Sequence, residues 1–444
     1  MPWYYHKDIE IPKTWNFKKL SDCIHPSPSG TWGIDDDEII PDEYVRVKVI
    51  RNTEFKNWNS NSIKKISYRL IKKNDFEKKS LKEGDILLET SGGGPKQPLA
   101  RTIIIDKKTL ENCQNQASFS NFIRIIRTKS EIKNIFLYYY LNYLYNQGIT
   151  KNFETQTTNL RNFDFKWFLR NIIILIPPMS EQQKIISILS NVDNLIQNTE
   201  KIIQQTKIYK KGLNQNLLTK GIGHTKFKKV IFGRSFIRYS IPDEWKIKQL
   251  DEIFKFKNGV NKEKSFFGKG TPIVNVLDVY ENSGLTQNQI KGKVTLTEDE
   301  INSFKLKKGD LVFTRTSETL EEIGTASVIL NDLENTTFSG FLLRAQQKSD
   351  EFDNNFKRHW FRSNIIRRQI ISTATKTSRA LTTKNYLSQI ITAIPPRVEQ
   401  QQIASILSNT DEKIQSYERY KEKLQRLKKS LMQKLLTGEV RVAV

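Results

Sequence analysis

Apolar side chains recur with helical spacing in a long stretch that ends near residue 220. Most of the recurring positions are apolar, and they step by seven residues in two rows that lie three residues apart. The rows are Ile185, Val192, Thr199, Thr206 and Leu213, and Ile188, Leu195, Ile202 and Tyr209; Leu189, Ile196 and Ile203 widen the stripe. Because the pattern continues for about five heptads without proline, it predicts a long helix that packs on another helix.

A second stretch repeats the first at a constant offset. Residues 176–219 align without a gap with residues 394–437, and 23 of the 44 positions are identical. The rows of the second copy are Ile403, Thr410, Tyr417, Leu424 and Leu431, joined by Ile406, Tyr420 and Leu427, with Leu407 and Ile414 beside them. Each copy follows Ile-Pro-Pro, where proline ends an extended run, and closes with Leu-Leu-Thr and a nearby glycine. Ser180 is the expected N-cap of the first helix. Repetition on this scale predicts a molecule in two halves.

The regions before each helix have the pattern of mixed α/β domains. Shorter anchors repeat in them: Ile11-Pro12-x-x-Trp15 returns at Ile241, and the Leu-Lys-x-Gly-Asp sequence of Leu81 returns at Leu306. Apolar runs between turn residues predict strands at Tyr44–Ile50, Ile86–Glu89, Thr102–Ile105, Phe122–Arg127, Pro272–Val279, Leu311–Thr314, Thr325–Leu330 and Gly340–Ala345. Each region also contains one aromatic-rich helix candidate, Lys133–Asn146 and Asn355–Ser372.

The composition indicates a polyanion as ligand. The chain has 444 residues, room for two to four domains, and 72 basic against 48 acidic side chains give a formal net charge of +24. All parts of the chain are basic, and such a distributed field is typical of proteins that neutralise phosphates. The sequence lacks an apolar run of roughly 20 residues and an apolar signal core, so we expect a cytoplasmic protein that does not span a membrane. Cys23 and Cys113 are expected to remain reduced.

These motifs resemble those of the DNA specificity subunits of type I restriction–modification systems. The resemblance covers nearly the whole chain and is carried by Ile-Pro-Pro-x-x-Glu-Gln-Gln-x-Ile at residues 176–185 and 394–403, by the Leu-Leu-Thr ends, and by the two shorter anchors. It implies an α+β fold in which two α/β target recognition domains are separated by two long helices that form an antiparallel coiled coil, with a pseudo-two-fold internal repeat. The corresponding domains are residues 1–175, 176–224, 225–393 and 394–444.

The resemblance also implies the function and the partners. Each recognition domain would read one half of a bipartite asymmetric target on double-stranded DNA, and the coiled coil would set the spacer. Two modification (methyltransferase) subunits and, for cleavage, restriction (translocase/nuclease) subunits would act at the site. The chain itself would be non-catalytic and would bind no cofactor, since adenosylmethionine, ATP and Mg²⁺ would belong to the partner subunits. Forty helical residues span roughly 60 Å, which is one to two turns of duplex DNA.

Polar loops in each recognition domain supply candidate DNA contacts. Arginine and lysine suit guanine edges, asparagine and glutamine suit adenine, and serine and threonine suit either. In the first half the candidates are Ser91, Gly93, Lys96, Gln97, Arg101, Thr157, Asn159 and Arg161. In the second half they are Arg315, Thr316, Ser317, Lys376, Thr377, Ser378 and Arg379. The glycine-rich loop at Ser91 is equally consistent with a plain flexible turn.

Two further features leave alternatives open. Arg358, Arg362, Arg367 and Arg368 either contact phosphates or form a solvated helix face. The corners Glu181-Gln182-Gln183 and Glu399-Gln400-Gln401 either cap their helices or offer two equivalent docking sites to identical partners.

Enzyme alternatives have weaker motifs. Phe266–Gly270 matches a methyltransferase Phe-x-Gly-x-Gly loop, but a strand-like run follows it and no Asn/Asp-Pro-Pro-Tyr/Phe tetrapeptide is present. Pro41-Asp42 with Glu54-Phe55-Lys56 fits a loose magnesium-nuclease pattern that the second half lacks. The four histidines have no zinc-ligand spacing. A self-contained restriction or modification enzyme therefore remains the alternative to a DNA-reading subunit, together with a basic coiled-coil assembly protein.

Overall fold

A computed structural model describes residues 12–56, 58–92, 97–156, 161–232, 237–376 and 379–443. Contacts divide the chain into two compact units. The first unit comprises residues 1–199 and 420–444, and the second comprises residues 200–419. Both boundaries fall inside the two repeated helical stretches, so each unit contains one α/β domain and a part of each stretch.

Small sheets build the domain of the first unit. The largest has the strand order Ile34–Asp35, Tyr68–Lys72, Tyr44–Ile50, Ala117–Phe119, and the next has the order Thr102–Ile104, Ile86–Glu89, Ile123–Ile126. A third joins Glu154–Gln156, Arg161–Phe163 and Ser91–Gly92, and Asn16–Lys19 pairs antiparallel with Ile173–Ile176. The short helices are Leu20–Cys23, Asn52–Phe55, Ser62–Lys65, Lys73–Lys79, Lys107–Glu111, Asn134–Asn146, Ile149–Phe153 and Phe165–Asn171.

The second unit has a larger central sheet. Its strand order is Phe254–Asn258, Leu342–Gln347, Leu311–Thr314, Ala326–Ile329, Gly284–Leu285. Other sheets join Gly292–Val294, Phe267–Val274 and Thr337–Phe338; Thr316–Ser317, Ala380–Leu381 and Thr375–Lys376; Lys246–Gln249 and Ile391–Ile394; and Phe227–Phe232 and Ile237–Pro242. The short helices are Leu250–Ile253, Lys264–Phe266, Val276–Glu281, Gln287–Gln289, Glu298–Phe304, Asn354–Trp360, Asn364–Thr373 and Lys384–Ser388.

Most of the elements that the sequence predicts are present, with two errors in the second unit. The predicted strand Pro272–Val279 is wrong in its second part, because the strand ends at Val274 and a helix begins at Val276. Asp278 accepts a hydrogen bond from the backbone N–H of Asn275 at 2.8 Å, which starts that helix. The predicted helix Asn355–Ser372 is two helices, because Ser363 has an extended backbone between them.

The two repeated stretches are single long helices, Met179–Lys220 and Arg397–Leu436. Ser180 is not the N-cap, because the helix already includes Met179. The predicted glycine end is confirmed: Gly221 follows the first helix with φ 65°, a left-handed conformation that glycine adopts without strain.

Ion pairs show that the long helices run antiparallel. In the second unit, Lys207 pairs with Glu418 at 2.7 Å and Lys210 pairs with Asp411, so a step forward on one helix corresponds to a step back on the other. In the first unit, Asp193 pairs with Lys428 at 2.6 Å. The alignment of the repeats relates Lys210 to Lys428 and Asp411 to Asp193, so Lys210–Asp411 and Asp193–Lys428 are equivalent ion pairs. We call them the two clasps.

The buried seam between the helices differs from the predicted one in one row. Ile185, Val192 and Thr199 are buried, as predicted. The second row is wrong: Leu195, Ile202 and Tyr209 are exposed, whereas Leu189 and Ile203, four residues after the first row, are buried. Alternating steps of four and three residues keep both rows of the seam on the partner-facing side of an α-helix, as in coiled coils.

The Glu-Gln corners tie each long helix to its own domain. Trp15 Nε1 donates to Glu181 Oε2 at 2.9 Å, and Trp245 Nε1 donates to Glu399 Oε2 at 3.0 Å. Both carboxylates are buried. The repeated Ile-Pro-x-x-Trp and Ile-Pro-Pro-x-x-Glu motifs are therefore the two ends of one contact, which the structure forms once in each unit.

The next residue of each corner completes this connection. Gln182 Nε2 donates to the backbone carbonyls of Glu131 and Pro177, and Gln400 Nε2 donates to those of Glu351 and Pro395, all within 3.0 Å. These buried side chains are unavailable for docking, and only the third residue of each corner, Gln183 and Gln401, is exposed.

In the described part of the chain, no helix has the length and apolar character needed to cross a membrane. Cys23 and Cys113 are both buried and unbridged.

Candidate nucleic-acid interface

In each unit, the structure brings the predicted polar loops together at one small three-stranded sheet. In the first unit, Arg161–Phe163 pairs with Ser91–Gly92 on one side and with Glu154–Gln156 on the other. In the second unit, Ala380–Leu381 pairs in the same way with Thr316–Ser317 and with Thr375–Lys376. We call these two sheets the edge sheets. Segments that are distant in sequence thus form one surface in each unit.

Several predicted residues lie outside the described residues. They are Gly93, Lys96, Thr157, Asn159, Thr377 and Ser378. Lys376 is described only by its backbone, which pairs with Ala380.

In the first edge sheet, the described candidates take part in contacts within the domain. The Ser91 hydroxyl donates to Asn162 Oδ1 at 2.8 Å. Arg101 forms a two-pronged ion pair with Glu89, at 2.8 Å from Nε and 2.6 Å from Nη2. Glu89 is fully buried, and its carboxylate raises the pKa of Arg101. Gln97, with its amide oxygen turned to that guanidinium, accepts from Arg101 at 2.7 Å. These residues support the sheet from inside.

Asn52, which the sequence did not indicate, fixes the backbone where the first loop begins. Its Nδ2 donates to the Ser91 carbonyl at 2.9 Å and to Glu89 Oε1 at 3.2 Å. Gly92 has φ 107°, and a Cβ there would lie 2.4 Å from Asn52 Nδ2. Both facts require glycine at this position, because an L side chain would be strained and would displace Asn52. Arg161 pairs with Glu154 at 3.1 Å across the same sheet.

The second edge sheet presents more available donors. Arg315 is half-buried and Arg379 is exposed, and neither side chain has a hydrogen-bond or ion-pair partner among the described residues. Thr316 is half-exposed beside them. Ser317 is buried, and its hydroxyl donates to Glu322 Oε2 at 3.0 Å. The guanidinium groups of Arg315 and Arg379 therefore remain able to bind bases or phosphates.

An exposed phenylalanine lies against each edge sheet, and sequence reasoning missed both. The backbone carbonyl of Phe122 accepts from the N–H of Thr90 at 2.9 Å, and that of Phe341 accepts from the N–H of Arg315 at 2.8 Å. The side chains of Phe122 and Phe341 are 44% and 56% exposed. The signal was present in the sequence, because Phe119-Ser-Asn-Phe122 returns as Phe338-Ser-Gly-Phe341.

Phe122 also lines a shallow cleft of about 390 Å³ beside the first edge sheet, together with Arg124, Asn162 and Lys166. Arg124 Nη1 donates to the Ser27 carbonyl at 2.9 Å, and its guanidinium lies 5.8 Å from the ring centre of Phe165. An exposed aromatic ring next to cations and amides is an arrangement suited to stacking on bases while phosphates are neutralised nearby.

A sequence profile of the type I restriction modification DNA specificity domain matches the chain twice, over residues 12–207 and 242–426. The two matches cover most of the chain, and one falls in each repeated half. The chain belongs to this family. It is a specificity subunit of a type I restriction–modification system, a class of DNA-recognition proteins without a catalytic centre.

Individual relatives agree with this assignment. The chain is 27% identical over 369 residues to the type I restriction enzyme MjaVIII specificity subunit of Methanocaldococcus jannaschii, and the match covers 81% of the chain and 80% of the relative. A crystal structure of the type I S subunit from M. genitalium matches with a TM-score of 0.53 at 14% identity, over 98% of both chains. A chain from a structure concerned with complex assembly of the type I system matches with a TM-score of 0.55 at 15% identity, over 97% and 100%. The structural likenesses show a shared fold.

The comparisons give no support to the self-contained enzyme, and its motifs do not have the required context in this specificity subunit. Gly268 and Gly270 lie within the strand Phe267–Val274 instead of between a strand and a helix. Glu54 of the nuclease-like pattern accepts from the backbone N–H of Arg51 at 2.6 Å and from its guanidinium. Among the described residues, no group of three or more histidine, cysteine, aspartate or glutamate side chains is placed to hold a metal ion.

Proposed function

We propose that each unit of this specificity subunit reads one half of a bipartite DNA target through its edge sheet. The observation that carries the proposal is the repeated geometry: each unit has one edge sheet, formed by the same strand pairings and flanked by an exposed phenylalanine. Base edges are read by side chains with available donors and acceptors, and Arg315, Thr316 and Arg379 have these properties. The net charge of +24 supplies the sequence-independent attraction to phosphates.

The two edge sheets differ in their side chains, and this difference supports an asymmetric target. The first is supported by the buried pair Arg101–Glu89, whereas the second has Thr314 at the position that corresponds to Glu89. Different side chains on the same backbone arrangement would select different bases. The other predicted residues stay part of this proposal, and Ser91, Gln97 and Arg101 would act by supporting the first edge sheet.

The long helices would set the distance between the half-sites. The helix segments between the two clasps, 194–209 and 412–427, have equal lengths. Equal lengths keep the seam in register, and a supported pair of helices is stiffer than a flexible linker. A fixed spacer makes the second half-site contact effectively intramolecular, which strengthens binding only at the correct spacing.

We propose that two modification subunits dock on the exposed apolar rows of these helices. Ile202 and Tyr209 on the first helix correspond through the repeat to Tyr420 and Leu427 on the second, and all four are exposed. Two equivalent surfaces suit two copies of one partner. Restriction subunits would join this assembly for cleavage. Adenosylmethionine, ATP and Mg²⁺ would be bound by the partner subunits, and the complex would act on DNA in the cytoplasm.

Removing one heptad from each long helix tests whether the helices set the distance between the half-sites. Deleting residues 196–202 and 419–425 preserves the register of both clasps and shortens the helices by about 10.5 Å, or roughly 3 base pairs at ~3.4 Å each. The best spacer of the variant should therefore be shorter by about that number. Binding should also weaken, because 3 base pairs turn one half-site by roughly 100° about the DNA axis.

The measurement is methylation-sensitive sequencing of DNA from cells that carry the complete system. A deletion of only residues 196–202 is the matched control, since it breaks the register of one helix and should abolish methylation. If the double deletion methylates the original target with the original spacing, the helices do not set the spacer. Methylation or cleavage by the purified chain alone, with Mg²⁺ and adenosylmethionine, would instead support the self-contained enzyme.

A further inference from the structure

The second unit contains a basic cleft of about 920 Å³. One wall is the first long helix between Lys207 and Lys220, and another is formed by the helices Asn354–Trp360 and Asn364–Thr373. The strand Ile237–Pro242 contributes Arg238 and Tyr239. The volume lies within the range of sites that bind small molecules. We call this feature the basic cleft.

The lining of the basic cleft has a large excess of positive charge. Among the described residues, eight lysine and arginine side chains line it, together with two carboxylates, Glu281 and Asp411. Three of the eight cations are already used: Lys207 pairs with Glu418, Lys210 pairs with Asp411, and Arg362 donates to backbone carbonyls of Ala326 and Asn282.

Five cations remain for a ligand. Arg358 has only a long hydrogen bond, 3.4 Å from Nε to Ser283 Oγ. The other four have no hydrogen-bond or ion-pair partner within the described chain: Lys211, Lys220, Arg238 and Arg368. Five unneutralised charges around one concave surface favour an anion with more than one negative oxygen.

A helix N-terminus and unpartnered polar atoms face the same space. Ser363 precedes the ten-residue helix Asn364–Thr373, and its side chain does not cap that helix. The Ser363 side chain is buried, with 8% exposure of the residue, and its hydroxyl has no hydrogen-bond partner. Asn214 Oδ1 and Tyr239 Oη, from two other walls, are also buried without a partner. Free helix N–H groups, the helix dipole and a buried hydroxyl together match the oxygens of a phosphate.

Burial and neighbouring cations both affect the pKa of titratable groups beside the cleft. Burial, together with the charges of Arg367 and Arg358, lowers the pKa of Arg362 to about 10. Burial also lowers the pKa of His359 to about 4; Asp411 acts in the opposite direction, and Arg358 and Lys210 add to the lowering. A bound anion would relieve this repulsion.

The basic cleft belongs to the second half of the repeat. Under the alignment of the repeats, Lys207 corresponds to Gln425, Asn214 to Met432 and Lys220 to Gly438. Met432 is buried in the core of the first unit. These substitutions remove two cations and replace a polar group by an apolar one, so the site is an addition to the common scaffold.

We propose that the basic cleft binds a phosphate-bearing anion, held by Arg358, Arg368 and Lys211 over the N-terminus of the helix that begins at Asn364. The phosphate groups belong either to a small polyphosphate, such as a nucleoside triphosphate, or to the DNA backbone. The inference does not depend on base reading by the edge sheets. It would give a role to Arg358 and Arg368, whose guanidinium groups donate to no backbone carbonyl of the described residues, whereas Arg362 and Arg367 do.

Isothermal calorimetry of the full chain with pyrophosphate, in the absence of DNA, tests the site. Lys211→Ala with Arg368→Ala should weaken pyrophosphate binding at least roughly tenfold, since each removes a charge-assisted contact. Ser363→Asp is the sharper variant: its carboxylate caps the helix and repels an anion, so binding should be lost while thermal stability is kept. Lys429→Ala is the matched control, because Lys429 is exposed and corresponds to Lys211 in the other half.

A second arm identifies the source of the phosphate. If pyrophosphate and ATP compete for the wild-type chain, and Ser363→Asp prevents the binding of both, the ligand is a free polyphosphate. The alternative result is that Ser363→Asp changes only DNA binding. If it then reduces the dependence of DNA affinity on salt concentration equally for specific and scrambled duplexes, the ligand is the DNA backbone. Unchanged pyrophosphate and DNA binding in Ser363→Asp and in the double variant would overturn the proposal. A failure of sequence-specific binding alone would count against the proposed function and leave this result intact.

Discussion

Arginine side chains near the two edge sheets show how one residue type serves two purposes. Arg315 directly follows the strand Leu311–Thr314, Arg101 directly precedes the strand Thr102–Ile104, and the sequence predicts a DNA contact for both. Arg101 is held by Glu89, whereas Arg315 has no side-chain partner among described residues. The sequence does not distinguish the two arginines. The carboxylate that holds Arg101 belongs to Glu89, which also contacts Asn52, and no local sequence pattern specifies that these three residues meet.

We expect Arg101→Ala to reduce stability and Arg315→Ala to reduce DNA binding. Arg101→Ala leaves the buried Glu89 carboxylate unpaired, which should lower the free energy of unfolding of the first unit by about 3–5 kcal/mol. Arg315→Ala should leave stability unchanged and weaken specific DNA binding by about 1–3 kcal/mol. Chemical denaturation and fluorescence anisotropy measure the two quantities. Equal loss of stability in both variants would contradict the distinction.

Phe122 and Phe341 should contribute to DNA binding through their rings. Because both are exposed, Phe122→Ala and Phe341→Ala should change the free energy of unfolding by less than about 0.5 kcal/mol. Loss of stacking should weaken binding to the specific duplex by about 1–3 kcal/mol. Val398→Ala, an exposed apolar side chain at the start of the second long helix, is the control. Wild-type affinity in both phenylalanine variants would exclude the rings from the interface.

His359 should make the second unit sensitive to acid. Its pKa is about 4 in the fold and about 6.5 in an unfolded chain, so the unfolded state binds more protons between these values. The stabilisation is complete above pH 6.5 and is lost as the pH falls toward 4, by up to about 3 kcal/mol. Hydrogen exchange in the helix Asn354–Trp360 should rise over this range, and His359→Gln should flatten the increase. His25→Gln, at an exposed position, should retain the wild-type profile.

At the scale of elements, the sequence predicts that a strand or helix exists better than it predicts where that element begins and ends. Strands such as Tyr44–Ile50 and Leu311–Thr314 have the predicted bounds, because both are apolar runs closed by turn residues. The helix at Val276 was missed although Asn275-x-x-Asp278 is an N-terminal signal, since the apolar run Ile-Val-Asn-Val continues through it. The second row of the long helices was wrongly predicted to be buried. Apolar residues lie both three and four positions after the first row, so the sequence does not show which of these two rows faces the partner helix.

The contact between Trp245 and Glu399 should be the main connection of the second long helix to its domain. Glu399 also accepts from the backbone N–H of Ile222 at 2.9 Å and lies 3.0 Å from His224 Nε2. Glu399→Ala leaves the buried indole N–H of Trp245 without an acceptor. We expect the free energy of unfolding of the second unit to fall by about 2–4 kcal/mol, as measured by urea denaturation.

Gln401→Ala is the control for this prediction, because Gln401 belongs to the same motif but is exposed. It should change the free energy of unfolding by less than about 0.5 kcal/mol. Equal stability of the two variants would show that the motif has another role.

At the scale of the whole molecule, the internal repeat made the architecture predictable. The gapless alignment of residues 176–219 with 394–437 predicts two equivalent long helices, and the anchors predict two domains of one kind. The edge sheets were predictable only as separate loops, because their pairing depends on contacts between segments that are distant in sequence. The basic cleft was not predictable, since it combines a helix, a strand and two short helices.

The clasps have a consequence for a half-length version of this chain. Asp193 and Lys210 lie on one helix, and each pairs with the counterpart of the other: Asp193 with Lys428, which corresponds to Lys210, and Lys210 with Asp411, which corresponds to Asp193. A half-length polypeptide with one domain and one such helix would therefore possess everything needed to close both clasps against an identical copy. If the edge sheets read DNA as proposed, such a homodimer would carry one reading surface twice and would select a symmetric target in place of an asymmetric one.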